Sequence, residues 1–453
     1  MIAYADFLGS KSHMAERDGF KPVWLPDFLY GFQSYLTDWG IQHGRPAILA
    51  DCGLGKTPMQ LVFAENVARA KSGKTLILAP LAVAAQTVLE GEKFGVQCNR
   101  SHDGKPKGYI TVASYGILHK FDPLDFDCII LDEGSILKQF KGVRRNQIIE
   151  FMRRIRWRLL CSATAAPNDY VEFGNTSEAL GHMGHMDMLG TFFRNDEDSL
   201  HPSGFGAKWV FKAHAEDRFW KWLASWARAI RKPSDLGFED EGFALPPLHL
   251  NEHIVEASRA IPGSLFALPA ITEAERRAER RSTLDERCER VAKLVDHDQP
   301  AVAWCQLNEE GDLMERLIPG SVQVSGSSAD AEESNEEKLL AFVRGEFRTL
   351  ITKPSMAAFG LNWQHCAHQT FFPSHSFEQY YQAVRRCWRY GQTRDVTVDI
   401  VASEGEVGVL ANLRRKEALA SAMFSRLVSI MNDAISHEPA TSYPNLVEVP
   451  AWL

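Results

Sequence analysis

Apolar and polar residues fall along the chain in blocks of two kinds. The first is a short continuous apolar run closed by a turn signal. Ile48-Leu49-Ala50 runs into Asp51-Cys52-Gly53, and Thr75-Leu76-Ile77-Leu78-Ala79 stops at Pro80. Tyr109 to Tyr115, Cys128-Ile129-Ile130-Leu131 ahead of Asp132-Glu133, and Arg158 to Thr164 are of the same kind. Runs of this length without polar alternation predict strands buried on both faces. The second kind has helical spacing. Phe28, Leu29, Phe32, Leu36 and Trp39 recur at it, with Gln33 among them, and so do Met59, Leu61, Val62 and Val67. Strands alternating with helices predict an α/β fold with a parallel sheet covered on both faces.

The pattern changes over residues 185–250, which are rich in Gly, Phe and Trp, and then resumes. Trp209, Trp220, Trp222 and Trp226 crowd together before Leu245-Pro246-Pro247. This stretch predicts a helical accessory segment and connector. Its tryptophans are expected to pack in a core, with base stacking the rival use. Residues 273–296 predict a charged helix with Leu284, Val291 and Leu294 as its apolar positions. A second strand series follows: Ala301 to Cys305, Ser321 to Val324, Arg348 to Ile351, Gln369 to Phe372 and Val396 to Val401. A long helix is predicted near 406–436, and a tail with Pro439, Pro444 and Pro450 is expected to be extended. The resulting division is 1–190 for a first domain, 191–255 for the accessory segment and linker, 256–405 for a second domain, and 406–453 for the last helix and tail.

At 453 residues the chain exceeds one typical core, which suits two domains. Formal charge is 50 − 58 = −8, so any nucleic-acid contact must come from local patches, not a generally basic surface. Eight cysteines are scattered with no C-x-x-C, which argues against a zinc ribbon and fits a reducing compartment. No secretion signal is predicted, and no apolar run approaches the roughly 18–20 residues that span a bilayer. The expectation is a cytoplasmic protein without membrane attachment.

Ile48 to Thr57 carries the first chemistry. An apolar strand turns through Gly53 and Gly55, with Leu54 between them, and ends in Gly55-Lys56-Thr57 before a helix. Glycines let backbone N–H groups converge on an anion, and the helix N-terminus adds its positive dipole end. Lys56 can reach the β- and γ-phosphates, and the Thr57 hydroxyl can ligate Mg²⁺. The strict phosphate-loop pattern departs at one place, Ala50 for its first glycine. Asp132 and Glu133 end a strand 76 residues beyond Lys56, where a phosphate-loop enzyme needs one acid for the metal and a second to polarise water. Ser162-Ala163-Thr164 follows the next strand. Later, Gln382-Ala383-Val384-Arg385-Arg386-Cys387-Trp388-Arg389 predicts a helix presenting Arg386 and Arg389 on one face, a means of stabilising charge on a γ-phosphate.

Locally basic residues occupy 138–158: Lys138, Lys141, Arg144, Arg145, Arg153, Arg154, Arg156 and Arg158, against Glu150. Such residues contact phosphate backbones without reading sequence. Lys138, close behind the acids, is the leading candidate. A solvated basic helix explains Arg153 to Arg158 equally well. His182/His185 and His365/His368 have H-x-x-H spacing but no carboxylate or thiol set converging in sequence, so no metal is assigned to them.

The order of these motifs resembles a superfamily 2 helicase-type ATPase over residues 25–405. The closing Q-A-x-x-R-x-x-R-x-G-Q is similar to the Swi/Snf branch, in its compact phage and bacterial form. The resemblance implies two RecA-like domains with parallel sheets, ATP and Mg²⁺ as cofactors, and hydrolysis in the cleft between the domains. It implies that Gln33 reads adenine, that Gly53, Leu54, Gly55, Lys56 and Thr57 hold the phosphates, and that Thr57 and Asp132 serve the metal. Glu133, Arg386, Arg389 and Lys56 are then catalytic, and Ser162, Thr164 and Gln382 couple the halves. Ser114, Lys138, Gly360 and Asn362 are assigned to nucleic acid. Duplex DNA is the expected partner, with protein partners for targeting and a host-cell cytoplasm if the chain is phage-encoded. Departures are Gly134-Ser135 where the family has histidine, Trp388 and Tyr390 for smaller or aliphatic residues, and Pro354-Ser355-Met356 in place of a glycine-rich run. The activity implied is ATP-driven translocation on duplex DNA. The rival readings are a strand-separating DNA or RNA helicase and a nucleotide-dependent clamp with little turnover.

Overall fold

The apolar runs become two parallel sheets. The computed structural model describes residues 14–15, 17–137, 142–163, 170–196, 208–256, 280–326, 329–357 and 362–435. The chain forms two compact units, Met1–Glu241 with Ala420–Leu453, and Gly242–Leu419. In the first, strands β1 (Ala47–Ala50), β2 (Thr75–Ala79), β3 (Asn99–Arg100), β4 (Ile110–Ser114), β5 (Cys128–Asp132) and β6 (Trp157–Ser162) are followed by β7 (Phe193–Asp196), β8 (Lys208–Phe211) and β9 (Ala227–Ile230). Seven of them form one sheet in the order β3-β4-β2-β5-β6-β1-β9, parallel throughout. Every residue of β1, β2, β6 and β9 is buried, as a sheet covered on both faces requires. In register, Asp132 lies opposite Cys161, Leu49 opposite Ser162 and Ala50 opposite Ile230. The carboxyl ends of β5, β6 and β1 therefore finish side by side, at the edge where open α/β sheets bind ligands.

The predicted helical accessory segment over 191–255 needs correction. Among the described residues one α-helix, Glu216–Ala224, lies wholly within it. The antiparallel β7–β8 ribbon and two sheet strands supply the rest: β9 extends the first sheet beside β1, and β10 (Leu248–Val255) belongs to the second. Trp220, Trp222 and Trp226 are at most 1% exposed and pack among Phe192, Phe193 and Phe219. They are core residues, as expected, and have no face to offer a base.

The last helix, Val407–Ile435, divides between the units at Ala420. Beyond that point Met423, Phe424, Leu427 and Met431 enter the core of the first unit. The Met431 sulfur accepts the Ala229 N–H of β9 at 3.0 Å, and the Arg231 guanidinium donates to the Ser421 carbonyl at 2.7 Å. The end of this helix thus covers the β9 edge of the sheet. Leu427 is fully buried. Leu427→Ala is expected to cost about 2–5 kcal/mol of stability in urea denaturation of the full chain. A loss under about 0.5 kcal/mol, the level of a surface change, would remove this helix from the core.

In the second unit, β10, β11 (Ala301–Trp304), β12 (Val322–Val324), β13 (Thr349–Thr352), β14 (His368–Phe371) and β15 (Val396–Ser403) form a parallel sheet in the order β10-β15-β14-β11-β13-β12. The described part of the charged helix is Leu284–Leu294, where Val291 is buried and Leu284 and Leu294 are half-buried against the same core. Arg287 on this helix and Glu310 are both fully buried and pair at 2.7 Å. All eight cysteines are buried thiols without a disulfide. Among the described residues no helix is long and apolar enough to cross a membrane.

Candidate nucleotide site

The turn after β1 is shaped by its two glycines. Gly53 has φ 88° and Gly55 φ 72°, in the left-handed region that glycine occupies without a Cβ penalty. Gly55 is the N-cap of the helix Lys56–Lys71, and as a glycine it brings no side chain of its own to cap the first turn. Pro58 in that turn has no N–H, which matters little where helix donors lack intrahelical partners anyway. Ala50, the departure from the strict pattern, is the last residue of β1 and extended, so glycine is not needed there. The Lys56 ammonium lies in the loop, donating to the Ala50 carbonyl at 2.9 Å and the Asp51 carbonyl at 3.3 Å. Backbone donors, a helix N-terminus and a lysine thus meet at one turn, which is what a polyphosphate requires.

Gln33 is fully buried on the helix Gly31–His43. Its Oε1 accepts the Tyr30 N–H and its Nε2 donates to the Leu54 carbonyl, both at 3.0 Å. Both ends of the amide are held by the chain's own backbone. Gln33 thereby braces the glycine loop: a Cβ on Gly55 would come within 2.2 Å of its Nε2. Sequence reasoning assigned it adenine and missed this bracing.

Asp132 and Glu133 stand at the carboxyl end of β5, two strands from β1. The Tyr115 hydroxyl donates to the Asp132 carbonyl at 2.7 Å, and burial, then the two carboxylates, push that phenol well above its ordinary range. Glu133 has φ 62°, left-handed without being glycine, a conformation that costs about 1–3 kcal/mol and gathers at functional sites. Its Oε1 accepts the Ser162 hydroxyl at 2.8 Å. The acid and the first residue of the Ser-Ala-Thr motif are thus joined directly. Gly134, where the resembled family has histidine, has a packing reason: a Cβ there would meet Leu160 at 2.5 Å.

The sequence also overlooked Gln60, one turn past Thr57 on the same helix. It is fully buried and its Nε2 donates to Asp132 Oδ1 at 2.7 Å. The only signal for it was its place at helical spacing behind the phosphate loop.

Ser114 is half-buried at the carboxyl end of β4. Lys138, Thr164 and Gly360 lie outside the described residues. The arginines of the basic stretch are largely engaged. Arg145 and Arg153 both pair with Glu178, at 2.7 and 2.9 Å, and Arg158 is buried, donating to the carbonyls of Ile155, Ala179 and Arg153. Arg153, Arg154 and Arg156 precede the amino end of β6, the opposite end of the sheet from the acids. They do not converge on the site.

The second unit gathers its own group. Gln382 is on the helix Phe377–Val384, which ends before Arg386 and Arg389. The single helix predicted to carry both arginines is therefore corrected to a helix followed by tight turns. Arg386 donates to Gln382 through Nε to the carbonyl at 3.1 Å and through Nη2 to Oε1 at 3.2 Å, and Arg389 Nη1 is bonded to Asn362 Oδ1. The Trp363 N–H donates to the Arg386 carbonyl at 3.0 Å, so the two segments are tied by backbone as well. Trp388 and Tyr390 gain an explanation: with Tyr381 they surround the buried Arg385, whose guanidinium is 5.0, 5.7 and 5.8 Å from the Trp388, Tyr390 and Tyr381 rings.

The histidine pairs do other work. His182 Nε2 bonds the Arg45 carbonyl and its ring stacks on Trp226, and burial pushes its pKa down to about 3. His368 Nε2 bonds Asp399 at 2.7 Å. Among the described residues no group of three or more His, Cys, Asp or Glu could hold a metal ion. The chain matches no protein-family model and no curated protein.

Proposed function

We propose that the chain is an ATP-dependent nucleic-acid motor of two RecA-like domains that moves along duplex DNA. The observation that carries the reading is the strand-end arrangement of the first unit. A glycine loop with Lys56 ends β1, Asp132 and Glu133 end β5, and Ser162 on β6 between them bonds Glu133. The left-handed Gly53 and Gly55, with a helix that starts at a glycine, fit a triphosphate. Thr57 and Asp132 are the residues that would hold Mg²⁺, which supplies charge neutralisation to the β- and γ-phosphates when bound.

The chain's own groups divide the rest of the work. Lys56 leaves its two backbone carbonyls for phosphate oxygens. Glu133, held by Ser162, orients and deprotonates the attacking water. Arg386 and Arg389 act on charge developing at the γ-phosphate, and Asn362 holds Arg389 for that task. Nucleic acid favours the state in which both units contribute, and so raises turnover.

The test is ATP turnover with duplex DNA, single-stranded DNA and RNA side by side at low salt. Duplex DNA is expected to stimulate most. Cations that contact DNA phosphates release counterions on binding, so stimulation is expected to fall with added salt, the more steeply the more phosphates are contacted. An unchanged rate with all three would leave a nucleotide switch in place of a motor.

A further inference from the structure

Gln60 takes no part in the reading above, yet from the helix that follows the glycine loop it bonds one of the strand-end acids. It is fully buried and follows Thr57 by one helical turn. Its Nε2 holds Asp132 Oδ1 at 2.7 Å. Its Oε1 is buried with no nitrogen or oxygen partner. Beside the amide lies the thiol of Cys161, the residue opposite Asp132 in the β5–β6 register. A thiol is at best a weak partner, and burying an amide oxygen costs about 1–3 kcal/mol where it is wholly unsatisfied, so a glutamine kept there for packing alone is poorly explained. A leucine or methionine would fill the same space without that cost.

We infer that Gln60 is a positioning residue for Asp132: its amide fixes one carboxylate oxygen and so sets the direction in which the group faces a divalent cation. The inference rests on the proposed nucleotide site. Groups that hold a metal's carboxylate from behind typically contribute 10–100-fold to metal affinity. A neutral amide suits the task because it donates to the carboxylate without adding charge. It also links the first turns of the phosphate helix to β5, so the loop and the acid are held in one register. Glutamate at position 60 would set a second carboxylate against the first, and leucine would remove the donor while keeping the volume.

The experiment uses the full chain, a non-hydrolysable ATP analogue and Mn²⁺ as the probe, with bound Mn²⁺ read by electron paramagnetic resonance. Analogue affinity is measured separately in EDTA. Gln60→Leu is expected to weaken Mn²⁺ about 10–100-fold while analogue affinity in EDTA stays within about twofold of wild type. Gln60→Glu is expected to weaken Mn²⁺ as well, and it serves as the test should the leucine variant fail to fold. A purely structural role would lower analogue affinity in EDTA and Mn²⁺ affinity together, and that result overturns the inference. So does Mn²⁺ binding equal to wild type in either folded variant. Wild-type protein that binds no Mn²⁺ with the analogue would instead overturn the nucleotide site itself, an outcome the wild-type arm alone decides.

Discussion

Glu133→Gln is expected to stop turnover while ATP remains bound. The expected loss is about 10²–10⁴-fold in single-turnover hydrolysis, the range for removing a positioned general base. Glutamine keeps the volume and can still accept the Ser162 hydroxyl, which now bonds Oε1 at 2.8 Å. The strained backbone at φ 62° is held by the turn after β5 and needs no carboxylate. Only the proton-accepting power changes, so nucleotide affinity is expected to stay near wild type. Lys56→Ala is the contrasting variant. In the proposed site it takes away a charge that would contact phosphate in ground and transition states alike, so binding and hydrolysis are expected to fall together. Filter binding of labelled ATP beside the hydrolysis assay separates the two patterns. Near-normal turnover in Glu133→Gln would show that another group activates the water.

The parts of this site written in local sequence were legible without the structure. Ile48 to Thr57 announces itself because strand, left-handed glycines and helix start are adjacent. Cys128 to Glu133 does so because a continuous apolar run gives way there to two carboxylates. What escaped was written across the chain. β9 is four residues long, Ala-Arg-Ala-Ile, and only its pairing with β1 makes it a strand. Its neighbouring tryptophans drew attention as a separate segment, although they pack into the first core. The stripe of Met423, Phe424, Leu427 and Met431 shows helical period, but period cannot say which core the stripe enters. Gln33 and Gln60 show the same limit at the level of single side chains. Both sit in unremarkable helical positions, and their roles lie in partners 21 and 72 residues away. Gly134 looked like a departure from a pattern and stands where a Cβ would collide with Leu160.

Arg389→Ala is expected to lower hydrolysis by about 10³–10⁵-fold, the usual weight of an arginine that meets charge on the transferred phosphoryl group. ATP affinity should change far less, because that charge develops in the transition state and the proposal assigns the ground-state phosphates to the glycine loop and Lys56. Lysine should not rescue it. Arg389 is set by its bond to Asn362, and a guanidinium has further donors in a fixed fork, whereas an ammonium is a point charge. The test must be made by point substitution in the full chain. A fragment ending after residue 250 would separate the arginines from the acids, but it would also remove Leu427 and Met431 from the first core. Its inactivity would then report a damaged fold. Asn362→Ala supplies the internal comparison: it keeps the guanidinium and removes its anchor, so its loss is expected to be smaller and to be repaired in part by Asn362→Asp, which can still accept from Arg389. Turnover of Arg389→Ala within threefold of wild type, with nucleic acid present and thermal stability unchanged, would show that the second unit gives no catalytic group to ATP.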